Sequence, residues 1–186
     1  MTTTPLTGDT WGDEIEGPRA FFLAQSEKPF AELKPIFQRS HGMLVQQLLG
    51  VTDAQATFKP GRGDGEEDYS VAEVTRHMIQ IYPLMAARIR SLALDTERPA
   101  TQPPGSLGQH EGAPLSRLRG LLAEAEMGLL AQVSSVEGKE RLDTTMPHRL
   151  FGELNCRGWL AMQSLHIEDH ARQIGKIKSH PDYPKG

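Results

Sequence analysis

The stretch Trp159-Leu-Ala-Met-Gln-Ser-Leu-His166-Ile-Glu-Asp-His170-Ala-Arg-Gln-Ile174 decides the fold of this chain. Its apolar residues recur every three or four positions, and two histidines share their stripe. The stripe consists of Trp159, Met162, His166, His170, Ile174 and Ile177. This spacing is typical of the buried face of a long α-helix. We therefore expect a helix that points both histidines into the protein interior.

Three further segments have the same helical spacing, so the sequence predicts four long helices. They span residues 30–49, 70–94, 114–138 and 155–178. Ser70 and Glu73 have the spacing of a capping box, and Asn155 is suited to the N-cap of the last helix. Pro29 and Pro35 leave the start of the first helix open. No strand-like alternation of useful length is present, so the expected fold is an all-α four-helix bundle.

The chain has 186 residues, which favours a single domain. We expect a flexible N-terminal arm at 1–16, one helical domain at 17–180 and a C-terminal tail at 181–186. Trp11 is a candidate anchor for the arm. Residues 95–112 are rich in Pro and Gly and predict a long crossover between the second and third helices.

Composition excludes several classes of function. The net charge of -4 comes from 20 basic and 24 acidic residues that are interspersed, so nucleic acid is not an expected partner. No run of 18 apolar residues predicts a membrane span. Cys156 is the single cysteine, and the first residues lack the basic and apolar regions of a secretory signal. The expected location is the cytoplasm.

The histidine pair on the last helix has the spacing of a metal-binding clip. Residues four apart lie about 6 Å apart along a helix and roughly 40° apart around it, so both imidazoles can reach one cation. The pair alone leaves a structural alternative, since a buried histidine can bond to a backbone carbonyl or to a carboxylate such as Asp169 or Glu73.

His77 favours the metal-binding interpretation. On the second helix it borders an apolar stripe that consists of Val71, Val74, Met78, Ile81 and Met85. A third imidazole would complete a site for zinc, nickel or ferrous iron. Three nitrogen ligands leave a position for water or substrate, which is typical of catalytic sites.

Three stretches resemble the DinB-like superfamily. The helix-two motif of this superfamily is similar to Tyr69-Ser-Val-Ala-Glu-Val-Thr-Arg-His77-Met. The start of its last helix is similar to His148-Arg-Leu-Phe-Gly-Glu-Leu-Asn-Cys-Arg-Gly-Trp-Leu160. His166-Ile-Glu-Asp-His170-Ala-Arg-Gln-Ile174 matches its HxxxHxxQI ending. The resemblance implies an up-down-down-up bundle, a divalent metal held by His77, His166 and His170, and often a homodimer. Arg149 stands where such sequences often have Pro, and Gly158 where Glu or Gln is common.

The first functional hypothesis is a metal-dependent enzyme that activates water or a low-molecular-weight thiol. The resemblance supports it, because characterised DinB-like proteins include thiol-dependent transferases and isomerases and proteins described as metal-dependent hydrolases. The substrate would be a small molecule. No carboxylate is assigned as general base, because Glu73 is engaged by its capping box and Asp169 lies about 100° around the helix from His170.

Two alternatives stay open. One is a non-catalytic metal-binding or stress-associated protein. The other is a metal-free bundle that dimerises or binds a partner through a second stripe of the last helix, although packing against the first helix explains this stripe equally well. The second stripe consists of Leu154, Gly158, Ala161 and Leu165.

Two further histidines and the cysteine have competing interpretations. His41 is either a pocket residue, a partner of a metal ligand or a proton carrier, or else a hydrogen-bonded packing residue. His148 either lines the mouth of the site or structures its loop. Cys156 lies about 15 Å along the helix from His166, so we interpret it as a packing thiol rather than a nucleophile.

Overall fold

The computed structural model describes residues 16–61, 65–99 and 108–185. The six helices are α1 Glu16–Ser26, α2 Phe30–Gln47, α3 Asp53–Ala56, α4 Val71–Leu94, α5 Leu115–Val136 and α6 Cys156–Lys178. A two-stranded antiparallel hairpin of β1 Met146–His148 and β2 Gly152–Leu154 precedes α6. Residues 1–15 of the expected arm and residues 100–107 of the expected crossover lie outside the described residues.

Contacts of α2 give the relative directions of three helices. Ser40 donates to Glu168 of α6 at 2.8 Å, and Lys178 of α6 donates to the carbonyl of Gln47 at 3.0 Å. Residue numbers rise together along this pair, so α2 and α6 are parallel. Lys34 forms an ion pair with Glu137 at the C-terminal end of α5, and His41 contacts Glu126 earlier in α5. Residue numbers rise along α2 as they fall along α5, so these two helices are antiparallel.

Contacts of α4 complete the topology. The rings of His77 and His170 lie 4.9 Å apart, while Arg88 contacts Trp159, so α4 runs antiparallel to α6. Arg90 of α4 donates to Gln132 of α5. Helix α4 is antiparallel to α6 and α5 is antiparallel to α2. Because α2 and α6 are parallel, α4 and α5 are parallel to each other. The four long helices therefore have the expected up-down-down-up arrangement, and the long crossover is needed to connect two parallel helices.

The predicted helix ends agree with the structure. Ser70 caps α4 and accepts from the amide of Glu73, whose side chain accepts from the amide of Ser70 in return. Asn155 caps α6, and its side chain accepts from the amides of Arg157 and Gly158. Pro29 is the N-cap of α2, whereas Pro35 is accommodated inside it. These caps fix where the histidine-bearing helices α4 and α6 begin.

Helix α1 was not predicted. It is only 11 residues long, and its sequence contains Gly17 and Pro18, so no extended helical pattern was visible. Phe22 of α1 is fully buried and packs against Phe151 at 4.3 Å between ring centroids. The helix contributes to the common core rather than to an arm.

Helices α1 and α2 also cover the second stripe of α6. A methyl group on Gly158 would lie 3.3 Å from the Cβ of Ser26, so α1 approaches closely at this point. Leu154 is fully buried, and Ala161 and Leu165 are nearly so. Packing against α1 and α2 therefore buries most of this stripe.

A short hairpin is present although no strand was predicted, so this prediction was wrong. The hairpin pairs Met146 with Leu154 and His148 with Gly152. Strands of three residues are too short to produce a recognisable alternation. The hairpin matters because it positions His148 beside α6. Among the described residues, no helix is long and apolar enough to cross a membrane.

Candidate metal centre

The three histidines predicted as ligands come together between α4 and α6. His77, His166 and His170 each offer one ring nitrogen, and these atoms all lie within 4.8 Å of one another. Nε2 of His166 and Nε2 of His170 are 3.0 Å apart. The spacing of four residues on α6 brings this pair onto one face, and the antiparallel α4 supplies the third ring.

The burial of these histidines favours their neutral form. Burial and, to a smaller extent, the neighbouring His170 lower the pKa of His77 to about 4. Burial is also the main cause that holds the pKa of His166 well below its ordinary value, followed by the effects of His170 and His77. The pKa of His170 is likewise lowered by burial. A cation requires unprotonated ring nitrogens, so the cluster is suited to bind one at neutral pH.

Gln173 determines which nitrogen of His170 carries a proton. Its carboxamide oxygen lies 2.7 Å from Nδ1 of His170, and its carboxamide nitrogen donates to the backbone carbonyl of Glu66. Because that nitrogen must donate to the carbonyl, the oxygen faces the ring and Nδ1 must be the donor. The lone pair of Nε2 is then directed away from Gln173, toward the cluster.

The donor set fits a divalent cation. Two Zn–N bonds of about 2.1 Å at a tetrahedral angle separate their nitrogens by roughly 3.4 Å, somewhat more than the 3.0 Å between Nε2 of His166 and Nε2 of His170. Nε2 of His77 is buried and has no hydrogen-bond partner among the described residues.

A cavity of about 360 Å³ opens beside His170. Its polar lining comes from residues 66–67 and from α6, and consists of Glu66, Glu67, Asp169, Arg172, Gln173 and Lys176. Glu66 and Glu67 were not predicted as site residues, because a segment without apolar residues predicts only a loop. The structure folds Gly65–Asp68 into a 3-10 turn against α6. Only Gln173, in the quoted ending of the motif, gave a signal for this region.

His41 belongs to a separate buried network. Its Nδ1 lies 2.9 Å from the hydroxyl of Tyr82, and its Nε2 lies 3.3 Å from the carboxylate of Glu126. Both ring nitrogens therefore have partners on α4 and α5. This arrangement agrees with the interpretation of His41 as a hydrogen-bonded packing residue.

The remaining candidates also have defined places. Nδ1 of His148 accepts from the amides of Leu150 and Phe151, so this side chain structures the hairpin turn. Burial raises the pKa of the Cys156 thiol to about 11, which agrees with a packing role. The carboxylate of Glu73 accepts from the amide of Ser70 and pairs with Lys59, as expected for a capping residue. Asp169 is half exposed and pairs with Arg172.

A helical bundle with three converging histidines defines the class of this protein. The chain belongs to the DinB superfamily, whose family model matches residues 36–174. It is also similar to the solved structure of TT2238, a four-helix bundle protein, with a TM-score of 0.56 and 22% identity. That match covers 78% of this chain and 98% of the other and concerns the fold alone. No curated protein matches the chain.

Proposed function

We propose that this protein is a metal-dependent enzyme in which His77, His166 and His170 hold a divalent cation, with zinc or nickel favoured and iron as an alternative. The observation that carries the proposal is the convergence of three ring nitrogens within 4.8 Å, in a cluster where burial lowers the pKa of each ring and so favours its neutral form. The buried Nε2 of His77 has no hydrogen-bond partner among the described residues, and a bound cation would supply one.

The proposed reaction is activation of water or of a low-molecular-weight thiol for hydrolysis or S-transfer to a small-molecule substrate. A cation at this site lowers the pKa of a coordinated water or thiol and supplies a nucleophile at neutral pH. The cavity beside His170 offers room for a substrate group next to the cluster.

The protein's own residues would orient this chemistry. Gln173 keeps the proton of His170 on Nδ1 and so keeps Nε2 available as a ligand. The carboxylates of Glu66 and Glu67 line the cavity at His170 and are the candidates to take up a proton released from a nucleophile. The hydrogen bond between Gln173 and the carbonyl of Glu66 connects the turn that carries them to the cluster.

Metal content is the first test. The untagged protein is purified and its metal is counted by mass spectrometry, together with His77→Ala, His166→Ala and His170→Ala. His110→Asn is the matched control, because His110 is exposed and its positive φ is tolerated by Asn. We expect near-stoichiometric metal in the wild type and control and its loss in the three variants. If the wild-type protein is purified without metal and also fails to bind added zinc, nickel or iron, the proposal is wrong.

A second test separates an enzyme from a protein that only binds metal. Cobalt-substituted protein is titrated with glutathione, mycothiol or bacillithiol, and the visible spectrum is recorded. A new sulfur-to-cobalt band indicates a coordination position that a thiol can reach. A bound metal with an unchanged spectrum for every thiol would exclude thiol transfer. If Glu66→Gln and Glu67→Gln leave turnover unchanged in an activity assay, these side chains are not the proton acceptors.

A further inference from the structure

One face of α4 leads away from the histidine cluster. His77, Ile81, Leu84 and Arg88 follow at spacings of four, three and four, and all four side chains are half-buried. Both ends of this row contact α6, because His77 lies against His166 and Arg88 lies over Trp159. We call this row, together with Trp159, Gln163 and His166 of α6, the α4–α6 seam.

The seam contains four buried polar atoms without hydrogen-bond partners among the described residues, besides Nε2 of His77. Nε of Arg88, the indole nitrogen of Trp159 and both carboxamide atoms of Gln163 have no hydrogen-bond partner among the described residues. Gln163 is 0% exposed and Trp159 is 3% exposed. Trp159, Gln163 and His166 occupy one face of α6 at spacings of four and three. Buried donors are nearly always paired in folded proteins, so the three N–H donors of this row, on Arg88, Trp159 and Gln163, point to a ligand that accepts hydrogen bonds.

The far end of the seam is positively charged. The guanidinium of Arg88 lies 4.3 Å from the ring centroid of Trp159, and no carboxylate of the described residues forms an ion pair with it. His148 also packs against Trp159, at 5.4 Å between ring centroids. Burial lowers the pKa of His148 first, and the charges of Arg88 and Arg149 lower it further. The seam therefore favours an anion.

We propose that the α4–α6 seam is a carboxylate-binding subsite in which Arg88, the indole N–H of Trp159 and the carboxamide of Gln163 hold the acidic end of the substrate. The other end of that substrate reaches the three-histidine cluster, and this second half rests on the proposed function. Trp159 and His166 are seven residues apart, so the two ends are separated by about 10 Å along α6.

The geometry favours a carboxylate over a simple polar group. A guanidinium presents its donors as a planar fork that matches the two oxygens of a carboxylate, and the ring of Trp159 holds that plane in place. An indole N–H can only donate, which selects an acceptor. The opposite side of the cluster is lined by Glu66, Glu67 and Asp169, so a substrate carboxylate would be directed toward Arg88.

The subsite can be tested in the metal-free full chain. ¹⁵N-labelled protein is titrated with hexanoate, with hexanol and with inorganic phosphate, and the Nε–H signal of Arg88 and the indole signal of Trp159 are followed by NMR. We expect saturable shifts of both signals with hexanoate and no saturable shift with hexanol. Saturation by phosphate alone would overturn the assignment to a carboxylate, and no shift with any ligand would overturn the subsite.

Matched variants identify the residue responsible. Arg88→Leu should abolish the hexanoate shift at Trp159, whereas Arg88→Lys retains the charge but loses the fork and should weaken binding severalfold. Arg90→Leu is the control, because Arg90 is exposed and contacts Gln132 of α5 instead. Backbone amide spectra of all variants establish that the fold is retained. An unchanged shift in a folded Arg88→Leu protein would exclude Arg88.

A second titration links the subsite to the cluster. Cobalt-loaded protein receives ω-mercaptocarboxylates and ω-mercaptoalcohols of equal length. Charged hydrogen bonds predict about tenfold tighter binding of the acids at the length that spans the seam. This preference should disappear in Arg88→Leu while the affinity for the alcohols is kept. If cobalt does not bind, the proposed function fails and the NMR titration still decides the subsite. If thiols bind without a preference for acids, the link between seam and cluster is wrong and the metal site remains.

Discussion

Nδ1 of His170 and the carboxamide oxygen of Gln173 lie 2.7 Å apart on successive turns of α6. Without this contact, either ring nitrogen of His170 could carry the proton. With it, the proton stays on Nδ1 and only Nε2 is available as a metal ligand. A partner of this kind is common behind metal-bound histidines, where it sets both the tautomer and the orientation of the ring. The second amide contact, to the carbonyl of Glu66, anchors Gln173 itself.

Replacing Gln173 should therefore weaken metal binding without unfolding the protein. We expect Gln173→Ala to lower zinc affinity about 10- to 100-fold, because His170 loses its orienting acceptor. Competition with a chromophoric chelator measures this change. Gln46→Ala is the control, since Gln46 is exposed on α2. Equal affinities of Gln173→Ala and wild type would show that the ring of His170 is held by packing alone.

His41 should make stability depend on pH. Burial lowers its pKa from 6.5 to about 4, although Nε2 lies near Glu126. The unfolded chain then binds more protons between these values, so the free energy of unfolding falls as the pH is lowered from about 6.5 to 4. The difference corresponds to about 3 kcal/mol at most. Burial raises the pKa of Glu126, which opposes the effect at the acidic end.

Urea denaturation of metal-free protein at several pH values measures this dependence. His41→Gln should lose less stability than wild type on acidification, because the titrating group is gone. The three clustered histidines contribute to both proteins and cancel in the comparison. His110→Asn is expected to follow the wild-type curve. Parallel curves for wild type and His41→Gln would contradict the lowered pKa.

Helix α1 should be an integral part of the domain. Phe22 is 0% exposed and contacts Phe151, so Phe22→Ala removes a buried ring and should cost about 3–5 kcal/mol of unfolding free energy. Leu23→Ala is the matched control on the same helix, because Leu23 is 47% exposed. Equal stabilities of the two variants would mean that α1 is docked only loosely.

Two glycines should respond in opposite directions to a larger residue. Nothing lies within 4 Å of a methyl group placed on Gly128 of α5, so Gly128→Ala should stabilise the protein by about 0.5–1 kcal/mol through helix propensity. A methyl group on Gly158 would already lie 3.3 Å from Leu154 and from Ser26, so Gly158→Leu should destabilise by about 1–3 kcal/mol. Thermal unfolding followed by circular dichroism compares them, and tolerance of Gly158→Leu would contradict the close approach of α1.

Much of the bundle could be predicted because its helices carry strong local signals. The capping box of Ser70 and Glu73 and the N-cap Asn155 act within one helical turn, so they are visible in a linear sequence. The hairpin and α1 were missed for the opposite reason. A strand of three residues or a helix of 11 is stabilised mainly by contacts with distant segments, such as that of Phe22 with Phe151.

The sequence by itself determined the four long helices and placed His166 and His170 on one face, because a spacing of four residues fixes their relation within α6. Only the tertiary structure decided that His77 joins them and that Glu66 reaches Gln173. It also decided that Arg88 faces Trp159 and that His41 belongs to a different network. Such relations depend on the direction and packing of separate helices, which side-chain periodicity along one helix does not encode.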